Sequence, residues 1–279
     1  MIDVHIHVVP PNLVGVGPLS PLLEQPPERV AAVLRQEMQA AGVDRVLAMG
    51  SWNGPADDPL GVSATLAVGR SVAGLSAIGI ADPARGEPEH LRRVEAVLAS
   101  GRVRALKGYL GYLHYGPDHP GYRPYYELAG RHHLPFIFHT GDTYSPRAKL
   151  RYANPLLVDE VAVDHPDVRF VLAHLGNPWL LDGAEVVYKN VNVWADLSGL
   201  VVGDEQTFTT GERFEAVRDT AAAVRQAWRY AERPNRFLYG SDWPLAPMTV
   251  YRDFVRSIIP EEHHQQVFED NARALFRFP

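Results

Sequence analysis

The chain contains no cysteine among its 279 residues. Disulfides, thiolate metal sites and a cysteine nucleophile are therefore excluded, so any bound metal must be held by His, Asp or Glu. The sequence also lacks an excess of positive charge, since 27 Lys and Arg stand against 33 Asp and Glu and give a formal net charge of −6. With its basic residues scattered along the chain, the protein is not expected to bind nucleic acid.

Long apolar runs are absent as well. No window approaches the 18 uninterrupted apolar residues of a membrane span, and no basic segment followed by an apolar one opens the chain. We therefore expect a cytoplasmic protein with no membrane partner. Hydrophobic residues make up 46% and charged residues 22%, which is typical of a globular protein, and the length favours one large domain over residues 1–279.

Eight apolar, strand-like segments alternate with segments of helical periodicity. The strand-like segments are IDVHIH (2–7), VDRVLAM (43–49), LSAIGIA (75–81), VRALKGY (103–109), PFIFH (135–139), VRFVLAH (168–174), VNVWADL (191–197) and RFLYGSD (236–242). This order predicts an α/β fold, a (β/α)₈ TIM barrel of eight parallel strands. The alternative, an open doubly wound sheet, usually has a Gly-rich turn after its first strand; here that loop is long and Pro-rich.

Polar residues that can bind metals stand at the ends of four predicted strands. His5 and His7 end the first strand, His139 the fifth, His174 the sixth and Asp242 the eighth. Barrel enzymes carry their chemistry at the C-terminal ends of their strands, so these five side chains are expected to meet at one rim. The other histidines mostly precede strands or lie on helices, where we expect structural or solvated roles.

Alternation along a strand predicts which residues share a face. In the first strand, Asp3, His5 and His7 should face one way, while Ile2, Val4 and Ile6 face the helices. The same rule pairs Ile137 with His139, Phe170 and Leu172 with His174, and Leu238 and Gly240 with Asp242.

Three imidazoles and a carboxylate without thiolates suit Zn²⁺, and Mn²⁺, Fe²⁺ or Co²⁺ are also acceptable. A metal at such a rim lowers the pKa of a coordinated water toward neutrality or polarises a carbonyl. For any one histidine alone, a core residue satisfied by a neighbour is the simpler interpretation. Four histidines and an aspartate at strand ends favour the metal.

The ordered set DVHIH, IFHTGD, VLAHLGN, ADLSG and YGSDWP resembles the amidohydrolase superfamily. It most resembles the amidohydrolase-related branch, which includes lactonases and the aminocarboxymuconate semialdehyde and resorcylate decarboxylases; the closing EDNARALFRF is similar to that branch's last helix. The resemblance implies the following roles: metal ligation by His5, His7, His139 and Asp242, activation of the catalytic water by His174, and proton transfer by Asp242 as well. Asp3 is expected to support the site without ligating the metal.

Lys107, near the end of the fourth strand, is the main departure from the simplest pattern. Binuclear superfamily members carry a carboxylated Lys or a Glu near this place, and alternation points Lys107 inward. We favour a substrate carboxylate as its partner over carbamylation, and one metal ion over two. The loops at the rim add further candidate substrate contacts: Tyr109, Tyr112, Tyr144, Asn177, Trp179 and Trp243.

The sequence predicts hydrolysis of a small ester, lactone or amide that is carboxylated or cyclic. Non-oxidative decarboxylation of a carboxylated aromatic or muconate-like compound is the close alternative, because substrate choice depends on variable loops. A barrel that binds a small ligand without turnover is a remote third. The sequence is compatible with either a monomer or a homodimer. The helix AAAVRQAWRYAERP would form a dimer interface in one case and only flank the barrel in the other.

Overall fold

The strands follow one another around a barrel in the computed structural model, which describes residues 1–52, 54–55 and 57–278. Each strand pairs in parallel with the next along the chain, in the order β1 to β8. The strands are β1 (Ile2–His7), β2 (Arg45–Met49), β3 (Leu75–Ile80), β4 (Val103–Gly108), β5 (Phe136–His139), β6 (Phe170–Ala173), β7 (Val193–Asp196) and β8 (Phe237–Leu238).

The barrel closes through backbone hydrogen bonds between β1 and the segment that follows β8. The amide of Val4 donates to the carbonyl of Tyr239 at 3.0 Å, and the amide of His7 donates to the carbonyl of Trp243 at 2.7 Å. In the other direction, the amide of Asp242 donates to the carbonyl of His5 at 2.8 Å. The predicted TIM barrel is confirmed, and the described residues contain no additional sheet.

Helices occupy the connections between strands, as the periodicity predicted. They are α1 (Pro27–Ala41), α2 (Ser63–Gly69), α3 (Pro88–Ala99), α4 (Arg123–Arg131), α5 (Leu157–Asp164), α6 (Leu180–Lys189), α7 (Glu205–Thr209), α8 (Phe214–Ala231), α9 (Met248–Ile258) and α10 (Asn271–Leu275). Gly42, in a left-handed conformation at φ 69°, ends α1, because glycine adopts this conformation without steric cost. The short α7 was not predicted, and a π-helical turn at Gln266–Asp270 precedes α10. None of the described helices is long and apolar enough to cross a membrane.

The barrel interior is apolar and closed at one end by the C-terminal segment. Inward side chains of the strands form one cluster, which includes Ile78, Ile137 and Val171. The residues Ala272, Leu275, Phe276 and Phe278 belong to the same cluster. The last turns of the chain therefore fill the end of the barrel opposite the strand C-termini.

A bulge in β1 overturns the predicted alternation of that strand. Ile2 and Val4 belong to the interior cluster, whereas Ile6 packs in the outer layer with the helices. The pairing of β1 with β2 shifts register between Asp3 and Ile6, so that one extra residue is accommodated. The prediction that Ile2 and Val4 face the helices is therefore wrong, because the bulge inverts the inner face partway along the strand.

The interior position of the C-terminal segment can be tested by removing the ring of Phe276, which is 2% exposed. We expect Phe276→Ala to lower the free energy of unfolding by about 3 kcal/mol, because the substitution leaves a cavity in the barrel interior. Urea unfolding followed by circular dichroism measures the change. In the control Val163→Ala, at a 58% exposed site, the change should stay within about 0.5 kcal/mol. A loss below about 1 kcal/mol for Phe276→Ala would show that the segment does not contribute to the core.

Candidate metal centre

The five polar residues predicted to share a rim do meet at the C-terminal ends of the strands. His5 and His7 lie in β1 and His139 ends β5. His174 follows β6 directly, while Asp242 lies beyond the end of β8. All are buried except His174, which is half-buried.

His174 and Asp242 reach the site through irregular backbone. Their φ angles are 62° and 59°, in the left-handed region that non-glycine residues seldom adopt. The alternation predicted for His174 is wrong, because β6 ends at Ala173 and the side chains of Phe170 and Leu172 pack in the outer layer. Such conformations cost about 1–2 kcal/mol per residue and are concentrated at functional sites.

Three candidate ligand atoms form the centre of the site. The Asp242 Oδ1 atom lies 3.5 Å from His5 Nε2 and 3.4 Å from His7 Nε2, and the three atoms lie within 4.8 Å of one another. His139 stands outside this group; its ring centroid is 5.0 Å from that of His174. Of the four predicted ligands, the structure therefore clusters three, and it places the fourth beside His174 in the same cavity.

Hydrogen bonds fix which ring nitrogens carry a proton. His5 Nδ1 faces Asp196 Oδ2 at 3.0 Å, so it donates to the carboxylate and leaves the lone pair on Nε2. His139 Nε2 donates to the carbonyl of Asp142 at 2.8 Å, which leaves Nδ1 free. His174 Nδ1 donates to the carbonyl of Ser198 at 3.0 Å and leaves the lone pair on Nε2. Each imidazole thus keeps one nitrogen that can bind a metal or accept a proton.

Asp196 at the end of β7 is the site residue that the sequence analysis did not single out. Its Oδ1 atom accepts hydrogen bonds from the amides of His174 and Ser198, each at 3.1 Å, while Oδ2 holds His5. Asp196, His5 and His174 also form a second candidate ligand group. Because both carboxylate oxygens are already engaged, we interpret Asp196 as a positioning residue, the usual carboxylate partner of a metal-binding histidine.

The motif ADLSG contained a signal for Asp196, because the aspartate stands at a strand end like the other site residues. The glycine of this motif, Gly199, cannot be replaced without a clash. Gly199 has φ +60°, and a Cβ atom there would lie 2.7 Å from both Asp242 Oδ2 and His174 Nδ1. Only glycine fits between these two side chains.

Burial and charge favour the ionisation states that metal binding needs. Burial, then the charge of Lys107, lowers the pKa of His5 to about 4. Burial also lowers the pKa of His139 well below its usual value, with His174 adding to the shift. For Asp242, burial acts to raise the pKa, but the neighbouring imidazoles of His7 and His5 outweigh it and lower the pKa. At neutral pH, His5 and His139 are therefore neutral and Asp242 is ionised.

Asp3 supports the site from the closing seam of the barrel. Its Oδ1 atom accepts hydrogen bonds from the amides of His5 and Ser241, each at 3.1 Å. Burial raises the pKa of Asp3 to about 7. The carboxyl group therefore ties β1 to the segment after β8, and it lies outside both candidate ligand groups.

The donor set fits a divalent transition metal. Asp242 Oδ1 and His7 Nδ1 are buried without a hydrogen-bond partner among the described residues, and a buried carboxylate oxygen without a partner is costly unless an ion or water satisfies it. Nitrogen and carboxylate donors without thiolates suit zinc and its neighbours in the first transition row. The residues present therefore fit the metal that the sequence implies.

Two adjoining cavities open onto this centre. One has a volume of about 260 Å³ and is lined by His174, Asn177 and Arg213 among others. The other, about 40 Å³, reaches Lys107 and Tyr109 beside the histidines. Both cavities are also lined by Tyr144.

Some of the predicted substrate contacts line these two cavities and others do not. Lys107, Tyr109, Tyr112, Tyr144 and Asn177 line these cavities. Trp179 and Trp243 do not. The side chain of Trp243 is 3% exposed and packs in the outer hydrophobic layer.

The barrel and its rim of histidines and aspartates define a metal-dependent enzyme class, and the sequence matches a family model of that class. The model Amidohydro_2, described as amidohydrolase, matches residues 2–278. The chain belongs to the amidohydrolase family, whose members include metal-dependent hydrolases and decarboxylases. The resemblance seen in the strand-end motifs is confirmed.

Solved structures share the fold over nearly the whole chain. An amidohydrolase from Burkholderia multivorans with bound zinc is 18% identical, with a TM-score of 0.68 over 100% of this chain and 99% of that chain. A probable 2-pyrone-4,6-dicarboxylic acid hydrolase from Acinetobacter baumannii, with citric acid bound, is 14% identical, with a TM-score of 0.67 over 99% of each. A 5-carboxyvanillate decarboxylase from Novosphingobium aromaticivorans, complexed with manganese, is 13% identical, with a TM-score of 0.62 over 99% and 96%. No curated protein sequence matches significantly.

The positioning role of Asp196 predicts a specific defect in metal affinity. In Asp196→Asn, one of the two carboxylate oxygens becomes an NH₂ group, so either His5 Nδ1 or the backbone amides of His174 and Ser198 lose their acceptor. The His5 ring is then no longer held in a fixed tautomer and position. We expect zinc affinity to fall by about 10–100-fold, measured by competition with a chromophoric chelator.

The exposed Asp167→Asn is the matched control and should leave the zinc affinity unchanged. Equal zinc affinity in Asp196→Asn and the unsubstituted protein would contradict the positioning role.

Proposed function

We propose that the protein is a metal-dependent hydrolase of a small ester, lactone or amide. The observation that carries this proposal is the convergence of His5 Nε2, His7 Nε2 and a buried, unpartnered Asp242 Oδ1 beside a histidine with a free nitrogen. This arrangement holds candidate ligands and a candidate base at the floor of one cavity.

His5, His7, His139 and Asp242 would hold one divalent ion, with zinc favoured. A divalent ion at such a site lowers the pKa of a water molecule and polarises a carbonyl group. Asp196 supports this by holding His5 with its lone pair on Nε2. The zinc and manganese named for the two distant relatives support a metal of this class here.

His174 and Asp242 would move the proton. Nε2 of His174 has a lone pair because Nδ1 donates to Ser198, so it can orient or deprotonate the attacking water. The ionised Asp242 accepts that proton and passes it to the leaving oxygen or nitrogen as the acyl bond breaks. The water oxygen ends in the product carboxylate, and the proton leaves with the alcohol or amine.

Lys107 and Tyr109 would bind a carboxylate of the substrate. Both side chains are buried, and both Lys107 Nζ and Tyr109 Oη lack a hydrogen-bond partner among the described residues. Two unsatisfied donors in one cavity match the two oxygens of a carboxylate. Asn177, which lines the larger cavity, is a further candidate contact.

A decarboxylase among the structural relatives keeps carbon dioxide release as the alternative outcome. The same cavity would hold a ring carboxylate against Lys107. The two reactions differ in product, so one panel of substrates separates them: lactones and esters on one side, hydroxybenzoates and muconates on the other.

The base assignment predicts a variant that keeps its metal but loses turnover. We expect zinc-loaded His174→Gln to lose about 10²–10⁴-fold in kcat on the best lactone or ester, because the group that orients or deprotonates the attacking water is removed. Metal content should stay unchanged, since His174 is not a proposed ligand. Hydrolysis is followed by acid release in a pH-indicator assay and by headspace carbon dioxide.

The control His133→Gln, at an exposed site, should keep full activity. Carbon dioxide release without any hydrolysis would contradict the hydrolase proposal. Full activity of His174→Gln would contradict the proposed role of His174.

A further inference from the structure

An apolar groove leads away from the candidate metal centre along the Pro-rich loop between β1 and α1. Residues 16–21, Tyr144 and Leu245 enclose a volume of about 390 Å³. Except for Ser20 and the hydroxyl of Tyr144, these residues offer apolar or glycine surface. We name this feature the 16–21 groove.

The groove continues the cavity that holds the candidate ligands. Val16, Leu19, Tyr144 and Leu245 line both the groove and the cavity that contains His5, His7 and Lys107. A molecule with one end at the ligand cluster can therefore extend into the groove. This continuity favours part of the substrate as the occupant of the groove.

Tyr144 borders both the groove and the cavity that contains His174 and Arg213. The ring lines all three cavities. The cavity of about 260 Å³ has a mixed lining, with Asp142, Asn177 and Arg213 beside the apolar residues 200–202. The centre thus adjoins an apolar groove and a cavity that also offers charged and polar groups.

Hydrogen bonds hold the loop that forms the groove. Ser145 Oγ donates to the carbonyl of Val14 at 2.8 Å, and Asn12 Nδ2 donates to Ser51 Oγ at 2.7 Å. Leu19 itself has φ 67°, a left-handed conformation that is rare for a leucine. The loop therefore keeps Leu19 in the groove wall at a cost in backbone energy, which is expected where the position serves a function.

We propose that the 16–21 groove is a subsite for an alkyl or aryl arm of the substrate. This inference rests on the proposed function, because it places the reacting bond at the ligand cluster. The substrate would then be an amphipathic acyl compound, with its apolar arm along residues 16–21 and its polar part toward Lys107 or Arg213.

Binding of two homologous series to the zinc-loaded protein tests the subsite without any turnover. The probes are straight-chain carboxylates from butanoate to octanoate and 1-alkanols of the same lengths, measured by titration calorimetry. Each methylene that enters the groove should lower Kd about fourfold, which corresponds to about 0.8 kcal/mol. The alkanols keep the test valid if no carboxylate binds at Lys107.

Leu19→Asn replaces an apolar wall residue with one that tolerates positive φ, so it should flatten the dependence of Kd on chain length without unfolding the loop. The matched control is Leu181→Asn, at a 45% exposed leucine on α6, which should keep the dependence. A Kd independent of length in both series, or the same dependence in Leu19→Asn, would overturn the subsite. A change of oligomeric state in Leu19→Asn with an unchanged dependence would also overturn it, in favour of contact between two copies of the chain.

The outcome is separable from that of the proposed function. Chain-length dependence in binding, together with no hydrolysis of any ester, lactone or amide, would support the subsite and reject the hydrolase. Hydrolysis with rates and affinities that do not depend on chain length would support the hydrolase and reject the subsite.

Discussion

The buried carboxylate of Asp196 is the interaction on which the rest of the site depends. One oxygen holds the ring of His5, and the other holds the backbone where His174 and Ser198 follow the strands. A buried charge of this kind is stable only when its lone pairs are satisfied. Here the partners are the same groups that present the candidate ligand and the candidate base, so satisfying the charge also fixes their positions.

Departures from regular strand geometry build the remainder of the rim. The bulge in β1 turns His5 and His7 inward after Val4 has already faced the barrel interior. Left-handed backbone at His174 and Asp242 likewise turns these two side chains toward the site beyond the ends of β6 and β8. The apolar barrel interior, closed by the C-terminal segment, supplies the rigid support that such locally unfavourable conformations require.

The sequence predicted the fold and the meeting of the polar residues because both follow from simple periodicities. Alternating apolar and helical segments predicted the barrel, and strand-end positions predicted that His139 and Asp242 would approach His5. Alternation failed where the backbone leaves the strand pattern, at the β1 bulge and at His174, since neither a bulge nor a left-handed residue has a periodic signal. Trp243 was predicted to contact substrate because it follows the eighth strand, but its ring packs in the outer hydrophobic layer. A position near a strand end does not determine whether a large ring packs outward or lines a cavity.

If the chain's own side chains hold one divalent ion, as we propose, the metal-to-protein ratio of the loaded protein should show it. After loading with excess zinc and gel filtration, we expect about one equivalent in the unsubstituted protein and in an exposed His133→Ala control, and a sharp reduction in His7→Ala. No retained metal in the unsubstituted protein would contradict the metal centre itself. About two equivalents, both lost together in His7→Ala, would contradict the single ion.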